Sequence, residues 1–313
     1  MIAQRVQLDV TPRRDEAGTV SELSRARGWV AIAYVVALGC AAATMVVVPI
    51  DHPFWRAAAG DVVATVVIFG FSVRFDNSSF YDAYWSVIPP ALGAYWMFHP
   101  TAEGAPLARQ ILVLSLVSWW GIRLTYNWGR HWKGLDHEDW RYVDFRHKVG
   151  KAYWLVSFAG IHLFPTAQVL ASSAGLYLAM TATAPLGVLD GVAAVVTAAA
   201  ITIEMVADRQ LHDFVSGKPE PGAILDRGLW SWSRHPNYFG EVTFWWGLCL
   251  FGLAAATAPV AELWWLFVGP IAMTSMFFFI SIPLLDERMV KKRPHYAEHM
   301  KRVSRLVPWP PSP

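Results

Sequence analysis

A polar stretch directly before an apolar segment carries the side chains best suited to chemistry. The stretch runs from Arg227 to Glu241 and reads Arg-Gly-Leu-Trp-Ser-Trp-Ser-Arg-His-Pro-Asn-Tyr-Phe-Gly-Glu. Pro236 suits the first turn of a helix, where no amide donor is needed. Asn237 and Glu241 then lie one turn apart on the same face, and the free amides of a helix start attract anions such as phosphates. The stretch therefore predicts a ligand site at a helix start. The alternative is an aromatic and arginine anchor at the membrane surface.

Acidic residues at the ends of apolar segments form a second set of candidates. Charges inside membrane-spanning segments are costly and mark functional positions by default. Glu204 and Asp208 lie at the end of an apolar segment at roughly 189–207. Their one-turn spacing places both on one side of a helix. The alternative is that this pair faces lipid headgroups and water. Asp82, Asp286 and Glu287 also lie where polar and apolar sequence meet.

The composition indicates the kind of molecule that positions these residues. Hydrophobic residues make up 55% of the 313-residue chain and charged residues 16%, whereas charged residues usually make up about 25%. The mean hydropathy is +0.32. This balance argues against a secreted scaffold, a disordered chain and a nucleic-acid-binding domain, and it favours an integral membrane protein. Cys40 and Cys249 both lie in apolar runs, which indicates packing thiols and no disulfide framework.

Apolar runs of nearly membrane-spanning length recur along the chain and predict an all-α bundle of seven or eight transmembrane helices. They lie at roughly 29–49, 57–73, 84–98, 108–125, 152–171, 189–207, 238–257 and 263–285. The third run is short, and Pro89 and Pro90 are expected to kink it. The apolar stretch 172–188 either extends the fifth run or re-enters the membrane.

The positions of the basic residues predict the orientation. If residue 1 is cytoplasmic and eight helices cross, all of the 26 Lys and Arg except Arg56 and Arg109 fall on the cytoplasmic side. Such asymmetry predicts that both termini are cytoplasmic. Residues 1–28 are expected to form a disordered polar leader. Residues 29–56 are expected to form a retained extra helix and loop, because the uncharged run from Trp29 is too long for a cleaved signal.

Two motifs give the chain a family resemblance. Arg234 to Glu241, preceded by Gly228-Leu229-Trp230, resembles the signature of the steroid 5-alpha-reductase-like membrane proteins, in the bacterial branch labelled DUF1295. The segment from Asn77 to Trp85 resembles the other hallmark of that branch, and the ending from Glu287 through Tyr296 to Trp309 also fits it. The resemblance predicts one such domain over 57–310, in a bacterial inner membrane. A short Arg-His-Pro-x-Tyr-x-Gly core also occurs in isoprenylcysteine carboxyl methyltransferases.

The resemblance implies NADPH as the cofactor, bound on the cytoplasmic side among the last helices. It places Asn237 and Glu241 near the nicotinamide carboxamide and ribose, and Asp208 near the adenine half. The cytoplasmic arginines suit the NADP phosphate. The cofactor-binding residues implied in this way are Glu204, Asp208, Arg227, Arg234, His235, Asn237, Tyr238, Glu241, Glu287 and Tyr296.

The same resemblance implies a catalytic role for Asp82 and Tyr81. When Pro89 is aligned with a family proline, Asp82 takes the place of the acid that holds an enone carbonyl. Tyr81 then replaces a glutamine, and Trp120 stands where the family has a tyrosine. The implied activity is NADPH-dependent reduction of a carbon–carbon double bond in a lipophilic, steroid-like substrate. A carboxylic acid kept protonated in an apolar site supplies the donor that a developing enolate needs.

Several alternatives remain open at the level of sequence. Tyr126, Tyr81 or Tyr84 would supply the hydroxyl that Trp120 lacks. A methyltransferase using S-adenosylmethionine and a non-catalytic lipid-binding protein are the rival functions. The histidines and acids in the loop 126–150 are interpreted as a mixed-charge cytoplasmic loop in preference to a metal site. His162 is interpreted as a hydrogen-bonded interior residue, with the lining of a substrate cavity as the alternative.

Overall fold

The computed structural model describes residues 16–311, which form helices and contain no β-strand. This confirms the predicted all-α class. The α-helices are α1 Glu16–Val47, α2 Pro53–Arg74, α3 Tyr84–Met97, α4 Leu107–His131, α5 Trp140–Val149, α6 Tyr153–Val156, α7 Phe164–Ser172, α8 Ala174–Thr181, α9 Val188–Ser216, α10 Pro236–Ala255, α11 Val268–Met276, α12 Ile282–Lys292 and α13 Tyr296–Arg302. Two π-helical segments, Ser157–Leu163 and Phe277–Ser281, interrupt the regular helices.

The described chain divides into two compact units. The first, called the motif unit here, comprises 16–103 and 117–170, and the second, called the helix-start unit, comprises 104–116 and 171–311. Asp82 and Tyr81 belong to the motif unit. The residues expected to bind the cofactor all belong to the helix-start unit.

Seven helical segments of the described chain are long and apolar enough to cross a membrane, which indicates a multi-pass membrane protein. They are Glu22–Val47, Pro53–Arg74, Leu107–His131, Trp140–Thr181, Val188–Ser216, Pro236–Ala255 and Val260–Lys292. The stretch after residue 171 contains α8 and continues the fifth of the expected runs as helix. It therefore extends that run.

The third expected run, at 84–98, forms a short helix as predicted. It forms α3, which has 14 residues and is therefore about 21 Å long at 1.5 Å per residue. The hydrocarbon core of a bilayer is about 30 Å thick. The 3₁₀ turn Ser78–Tyr81 lies just before α3, so a full crossing at this place needs both elements.

The polar leader is helical where the structure describes it. α1 begins at Glu16, so the expectation of disorder over 1–28 is wrong for 16–28, while residues 1–15 lie outside the described part. Residues of this stretch are helical because their side chains contact other residues of the motif unit. Arg27 Nη2 donates to Gly129 O at 2.9 Å, and Gly134 packs against Leu23 and Ala26. These contacts stabilise helical turns ahead of the apolar run.

A close approach of α9 and α10 fixes the interior of the helix-start unit. A Cβ atom added at Gly240 would lie 2.7 Å from Glu204 Cβ and 2.7 Å from Ala200 O. Only glycine therefore allows the two backbones to approach this closely. The approach places the Glu204 side chain against the first turns of α10.

A buried ion pair explains one exception to the asymmetry of basic residues. Arg109 Nε lies 2.7 Å from Asp190 Oδ1, and the arginine side chain is fully buried. The guanidinium also donates to Ala184 O at 2.8 Å and Pro185 O at 3.1 Å. Asp190 Oδ2 accepts from the Gly187 amide at 2.8 Å. Arg109 is thus neutralised inside the helix-start unit, so it is not a free basic charge in a loop.

Candidate functional site

The turn before α10 is held against α9 by backbone and side-chain hydrogen bonds. Gly228 has a φ of +61°, and a Cβ atom there would lie 2.4 Å from Gln210 Nε2. The next amide, of Leu229, donates to Gln210 Oε1 at 3.0 Å. Trp230 Nε1 donates to Ala207 O at 3.0 Å. The glycine is therefore required both for its backbone conformation and for space.

The C-terminal segment fixes the backbone of Arg234 and His235. The Arg234 amide donates to Ser304 O at 2.9 Å. Ser233 Oγ donates to Leu306 O at 2.7 Å and accepts from the His235 amide at 3.1 Å. α10 then begins at Pro236, with Pro236 in its first turn as predicted.

Asp286 lies at the centre of a buried cluster at this helix start. His235 Nε2 lies 3.0 Å from Asp286 Oδ1, and Tyr296 Oη donates to the same oxygen at 3.1 Å. Arg234 Nη2 lies 3.2 Å from Asp286 Oδ2. This last contact is an ion pair by its distance. It is not aligned as a hydrogen bond, and Asp286 Oδ2 has no hydrogen-bond partner in the described structure. A carboxylate with these neighbours balances the arginine charge and orients the imidazole.

Burial lowers the pKa of His235, although the Asp286 carboxylate acts in the opposite direction. The imidazole is therefore neutral near pH 7. Its Nε2 carries the proton that is donated to Asp286, since an ionised carboxylate only accepts. This leaves Nδ1 as an acceptor. Tyr238 stacks on the imidazole with ring centroids 5.6 Å apart. Burial also raises the pKa of Tyr296, and the Asp286 charge adds to this, so Tyr296 stays a donor.

Polar atoms of three residues at the start of α10 are buried and have no hydrogen-bond partner within the described part of the chain. They are Nε and Nη1 of Arg234, Nδ1 of His235 and Oδ1 of Asn237. Asn237 Nδ2 is 3.4 Å from Asp208 Oδ1, so the amide is oriented with its oxygen unpaired. Buried donors and acceptors without protein partners are costly, so these atoms are available to bind a ligand or water.

A cavity of about 50 Å³ opens beside Arg234 and His235. Apolar side chains, among them Phe214, Ile224 and Trp230, form one part of its wall. Arg293 and His299 add basic groups to another part. The cavity thus combines an apolar surface with cationic and hydrogen-bonding groups, an arrangement that suits an amphipathic anion.

Three acids expected at the site are buried on two neighbouring helices of the helix-start unit, α9 and α10. Glu241 is 3% exposed, and its Oε1 accepts from Trp245 Nε1 at 2.8 Å. Glu204 is 3% exposed and lies beside Gly240. Asp208 is also buried. The prediction that Glu204 and Asp208 share one side of a helix is confirmed, and the alternative that both face water is wrong.

Two of the expected cofactor residues are exposed and do not join the buried residues of the site. Arg227 is exposed. Glu287 is also exposed and pairs with Lys291. The residue before Glu287, Asp286, lies in the buried cluster. The family resemblance does not assign Asp286 to the cofactor. A signal was available, because Ile282, Leu285 and Asp286 share the buried stripe of α12 at the spacing of an amphipathic helix.

A second buried group lies in the motif unit and contains a tyrosine that sequence reasoning did not pair with Asp82. Tyr142 Oη donates to Asp82 Oδ1 at 2.7 Å, and both side chains are buried. Tyr126, considered for this role, is 61% exposed. Tyr81 Oη and Tyr84 Oη bond instead to Thr166 Oγ1 and Asp61 Oδ1, both at 2.8 Å. The hydroxyl beside Asp82 therefore comes from α5.

The Asn77-Ser78-Ser79 motif holds the segment that carries Tyr142. Asn77 Nδ2 donates to Leu135 O at 2.7 Å, and the Asp139 amide donates to Ser79 Oγ at 3.1 Å. Asp139 then caps α5 by accepting from the Arg141 amide at 2.9 Å. The segment 126–150, expected to be a loop, therefore contains the end of α4 and all of α5. It is ordered by contacts to the motif.

The fold and these two buried groups define a class: a multi-pass helical membrane protein with candidate sites built from charged residues inside its units. The chain belongs to the family described as Protein of unknown function (DUF1295), whose model matches residues 68–303. This confirms the family predicted from the two motifs. The chain is also 28% identical over 266 residues to an uncharacterized protein of Schizosaccharomyces pombe, covering 77% of this chain and 76% of that protein. No solved structure matches the chain.

Proposed function

We propose that this protein is an NADPH-dependent membrane reductase of a carbon–carbon double bond in a lipophilic, steroid-like substrate. The observation that carries the proposal is the group of unpartnered buried atoms of Arg234, His235 and Asn237 at the start of α10, where Arg234 and His235 line a cavity with apolar and basic walls. Such a group needs a ligand that offers both anionic oxygens and amide hydrogen bonds. A nicotinamide dinucleotide phosphate has both.

The residues present fit the parts of NADPH. Arg234 and Arg293 would hold phosphate oxygens, since guanidinium groups bind them with several donors. The apolar wall around Trp230 would accept a flat base. Asn237 Oδ1 would accept from a carboxamide N–H, and Glu241 would accept from ribose hydroxyls. When bound, NADPH supplies the hydride for the reduction.

Asp82 and Tyr142 would act on the substrate carbonyl. Reduction of an enone develops negative charge on the carbonyl oxygen, and a preorganised donor stabilises that charge best where water is excluded. Asp82 is 4% exposed. Tyr142 donates to one of its oxygens and so fixes the orientation of the carboxyl group. In this proposal Asp82 donates to the carbonyl oxygen, and Tyr142 positions it.

We also propose an inner-membrane location with both termini in the cytoplasm, supported by the positions of the basic residues. This topology requires α3 and the turn Ser78–Tyr81 to complete one crossing. Reporter fusions test it: a C-terminal reporter should be active only in the cytoplasm. A C-terminal reporter active only outside would contradict the topology. An external N-terminal reporter would instead show that α3 does not cross.

Purified protein is expected to be stabilised against heat by NADPH and not by S-adenosylmethionine. A ligand at a hundred times its dissociation constant adds about 2.7 kcal/mol to the free energy of unfolding, which raises the melting temperature by several degrees. Thermal-shift titrations with NADPH, NADH and S-adenosylmethionine measure this. Saturable stabilisation by S-adenosylmethionine alone would favour the methyltransferase.

A matched pair of variants assigns the effect to the predicted site. Glu241→Gln keeps an acceptor for Trp245 but removes the anionic acceptor. It should weaken NADPH binding about ten- to a hundredfold, because one charged hydrogen bond is worth about 1.5–3 kcal/mol. Glu298→Gln removes the same charge from an exposed side chain and should leave the affinity unchanged. Equal effects of the two changes would point to a general charge effect.

A further inference from the structure

An exposed aromatic patch lies outside the membrane-spanning helices of the helix-start unit. This tryptophan patch consists of Trp232, which is 49% exposed, Trp309, which is 70% exposed, and Val307, which is also exposed. The Trp309 amide donates to Trp232 O at 2.9 Å, so the backbones of the two tryptophans are adjacent. Large exposed apolar groups that cluster in this way mark a surface for a membrane or for a protein partner.

The tryptophan patch lies level with the surface of the membrane. α10 has 20 residues and is therefore about 30 Å long at 1.5 Å per residue, which matches the hydrocarbon core of a bilayer. Its first residue, Pro236, lies at one membrane surface, and Trp232 comes shortly before it in the chain. Tryptophan is enriched at this level, because its ring can contact lipid while its indole N–H contacts water.

A basic side chain of the C-terminal segment lies over an aromatic ring that faces lipid. The guanidinium carbon of Arg305 is 4.8 Å from the centroid of the Phe278 ring. Phe278 and the two residues after it are exposed on the segment Val260–Lys292, which is long and apolar enough to cross the membrane. Within residues 16–311, no ion pair joins Arg305 to an acid. Its charge is therefore available to a ligand.

A contact between two helices places Arg305 at the depth of the lipid headgroups. The ring of Tyr238, in the first turn of α10, lies 4.6 Å from that of Phe277, centroid to centroid. Phe277 and Phe278 are therefore level with the membrane surface at the start of α10. A guanidinium group at this depth faces lipid phosphates, whose oxygens accept from its several donors.

The segment that carries Arg305 and Trp309 is fixed in place by the turn before α10. The carbonyl oxygens of Ser304 and Leu306 accept hydrogen bonds from that turn at 2.9 and 2.7 Å. Arg305 lies between these two attachment points, and Trp309 follows them. The side chains are thus held in position before any lipid binds, which lowers the entropic cost of binding.

We propose that Arg305, Trp232 and Trp309 form a binding site for an anionic phospholipid at the membrane surface. Arg305 binds the lipid phosphate, and the two indole rings lie in the headgroup layer beside it. Lys301 and Arg302 are exposed and add positive charge, which favours an anionic headgroup. The depth of the site and its charge favour lipid over a soluble protein partner. The site goes beyond the proposed reductase function and does not depend on it, because lipid binding needs neither cofactor nor substrate.

Fluorine NMR of the full-length protein labelled with 5-fluorotryptophan tests the position of the tryptophan patch. The protein is placed in nanodiscs of phosphatidylcholine and phosphatidylglycerol, and signals are assigned through Trp232→Phe and Trp309→Phe. A lipid with a gadolinium chelate on its headgroup should broaden both signals much more than that of Trp245, which lies about 13 Å from the start of α10. Equal broadening of all three signals would overturn the proposal. So would stronger broadening of Trp309 by a soluble gadolinium chelate, because the patch would then face water.

A matched pair of variants tests the phosphate contact. Arg305→Gln removes the guanidinium group and should weaken binding of the first phosphatidylglycerol at least about tenfold, as expected for the loss of one charged hydrogen bond. Lys301→Gln removes the same charge from an exposed side chain nearby in the chain and should change this affinity less than about twofold. Native mass spectrometry with added phosphatidylglycerol measures both affinities.

Folding of the variants is checked separately, by their melting temperatures in detergent without added lipid. Arg305→Gln should melt like the unaltered protein, and Arg305→Lys, which keeps the charge, should recover part of the affinity for phosphatidylglycerol. Unchanged lipid affinity in Arg305→Gln, or equal losses in Arg305→Gln and Lys301→Gln, would overturn the proposal. Failure of NADPH binding would leave it standing.

Discussion

Asp82→Leu is expected to lower reductase turnover by a factor of about 10²–10⁴, the usual contribution of one general acid. The affinity for NADPH should stay nearly unchanged, because the cofactor is assigned to side chains of the helix-start unit. Leucine fills the space of the carboxyl group but has no donor for the enolate oxygen. Asp82→Asn should lower turnover less, since an amide still donates weakly. NADPH consumption with a lipophilic enone measures turnover, and a parallel thermal-shift titration measures binding.

Tyr142→Phe and Asp61→Asn sharpen this experiment. Tyr142→Phe removes the hydroxyl that orients Asp82 and should lower turnover about fivefold, corresponding to one neutral hydrogen bond of about 1 kcal/mol. Asp61 is a matched control, because it is also buried in the motif unit and also accepts from a tyrosine. Asp61→Asn should therefore retain turnover. Full turnover in Asp82→Leu would show that the acid is only structural. Loss of NADPH binding in Asp82→Asn would assign the segment to the nucleotide pocket.

Arg109→Met is expected to lower the free energy of unfolding by about 3–5 kcal/mol, the typical cost of removing one partner from a buried ion pair. Asp190 would be left as an uncompensated buried charge, and the carbonyls of Ala184 and Pro185 would lose their donor. Unfolding by denaturant in detergent micelles, followed by circular dichroism, measures the loss.

The other basic residue assigned to the outer side provides the control for this variant. Arg56 donates through Nε to Ile50 O at 2.6 Å and has no ion pair within the described residues. Arg56→Met should cost only about 0.5–1.5 kcal/mol, the net value of one hydrogen bond. A second change, Asp190→Asn added to Arg109→Met, should recover part of the lost stability because it removes the uncompensated charge. Equal losses for both arginines, or no recovery in the double variant, would argue against a buried pair.

Features that depend on neighbouring residues were predictable from the sequence. The start of α10 at Pro236 follows from the missing amide hydrogen of proline, and the structure confirms it. The shared burial of Glu204 and Asp208 follows from helical spacing. The multi-pass membrane class follows from the length of the apolar runs. In each case a short stretch of chain contains all the information that the prediction needs.

The eight-span count shows where this kind of reasoning ends. Run length and hydropathy placed the third run correctly at 84–98, but the 14 residues of α3 are too few to cross a bilayer alone, and α3 is not among the seven candidate spans. Hydropathy measures the transfer of side chains into an apolar medium, and it does not report where the backbone leaves the helix. The backbone leaves the helical path at the polar segment 77–82, because side chains of this segment bond to α5 and to the residues just before α5. The α5 segment is too polar to suggest packing when considered alone.

The partner of each buried ionisable group was decided only by the tertiary structure. Asp82 bonds to Tyr142, His235 to Asp286, and Arg109 to Asp190. A buried ionisable group needs a partner, so the sequence predicted a partner for any of these residues that is buried. It did not determine with which residue, because the choice depends on which distant helices pack together.

The contact of Ser157 with His162 is a short-range feature that sequence patterns also missed. Helical spacing places these two residues far apart in direction, and the π-turn that joins them is stabilised by partners elsewhere in the motif unit. Ser78 and Ser72 supply those partners. The sequence by itself therefore determined the membrane class, the helix start and the polar motifs, because these are local properties. The tertiary structure decided which buried groups touch, because burial makes pairing necessary and packing selects the partner.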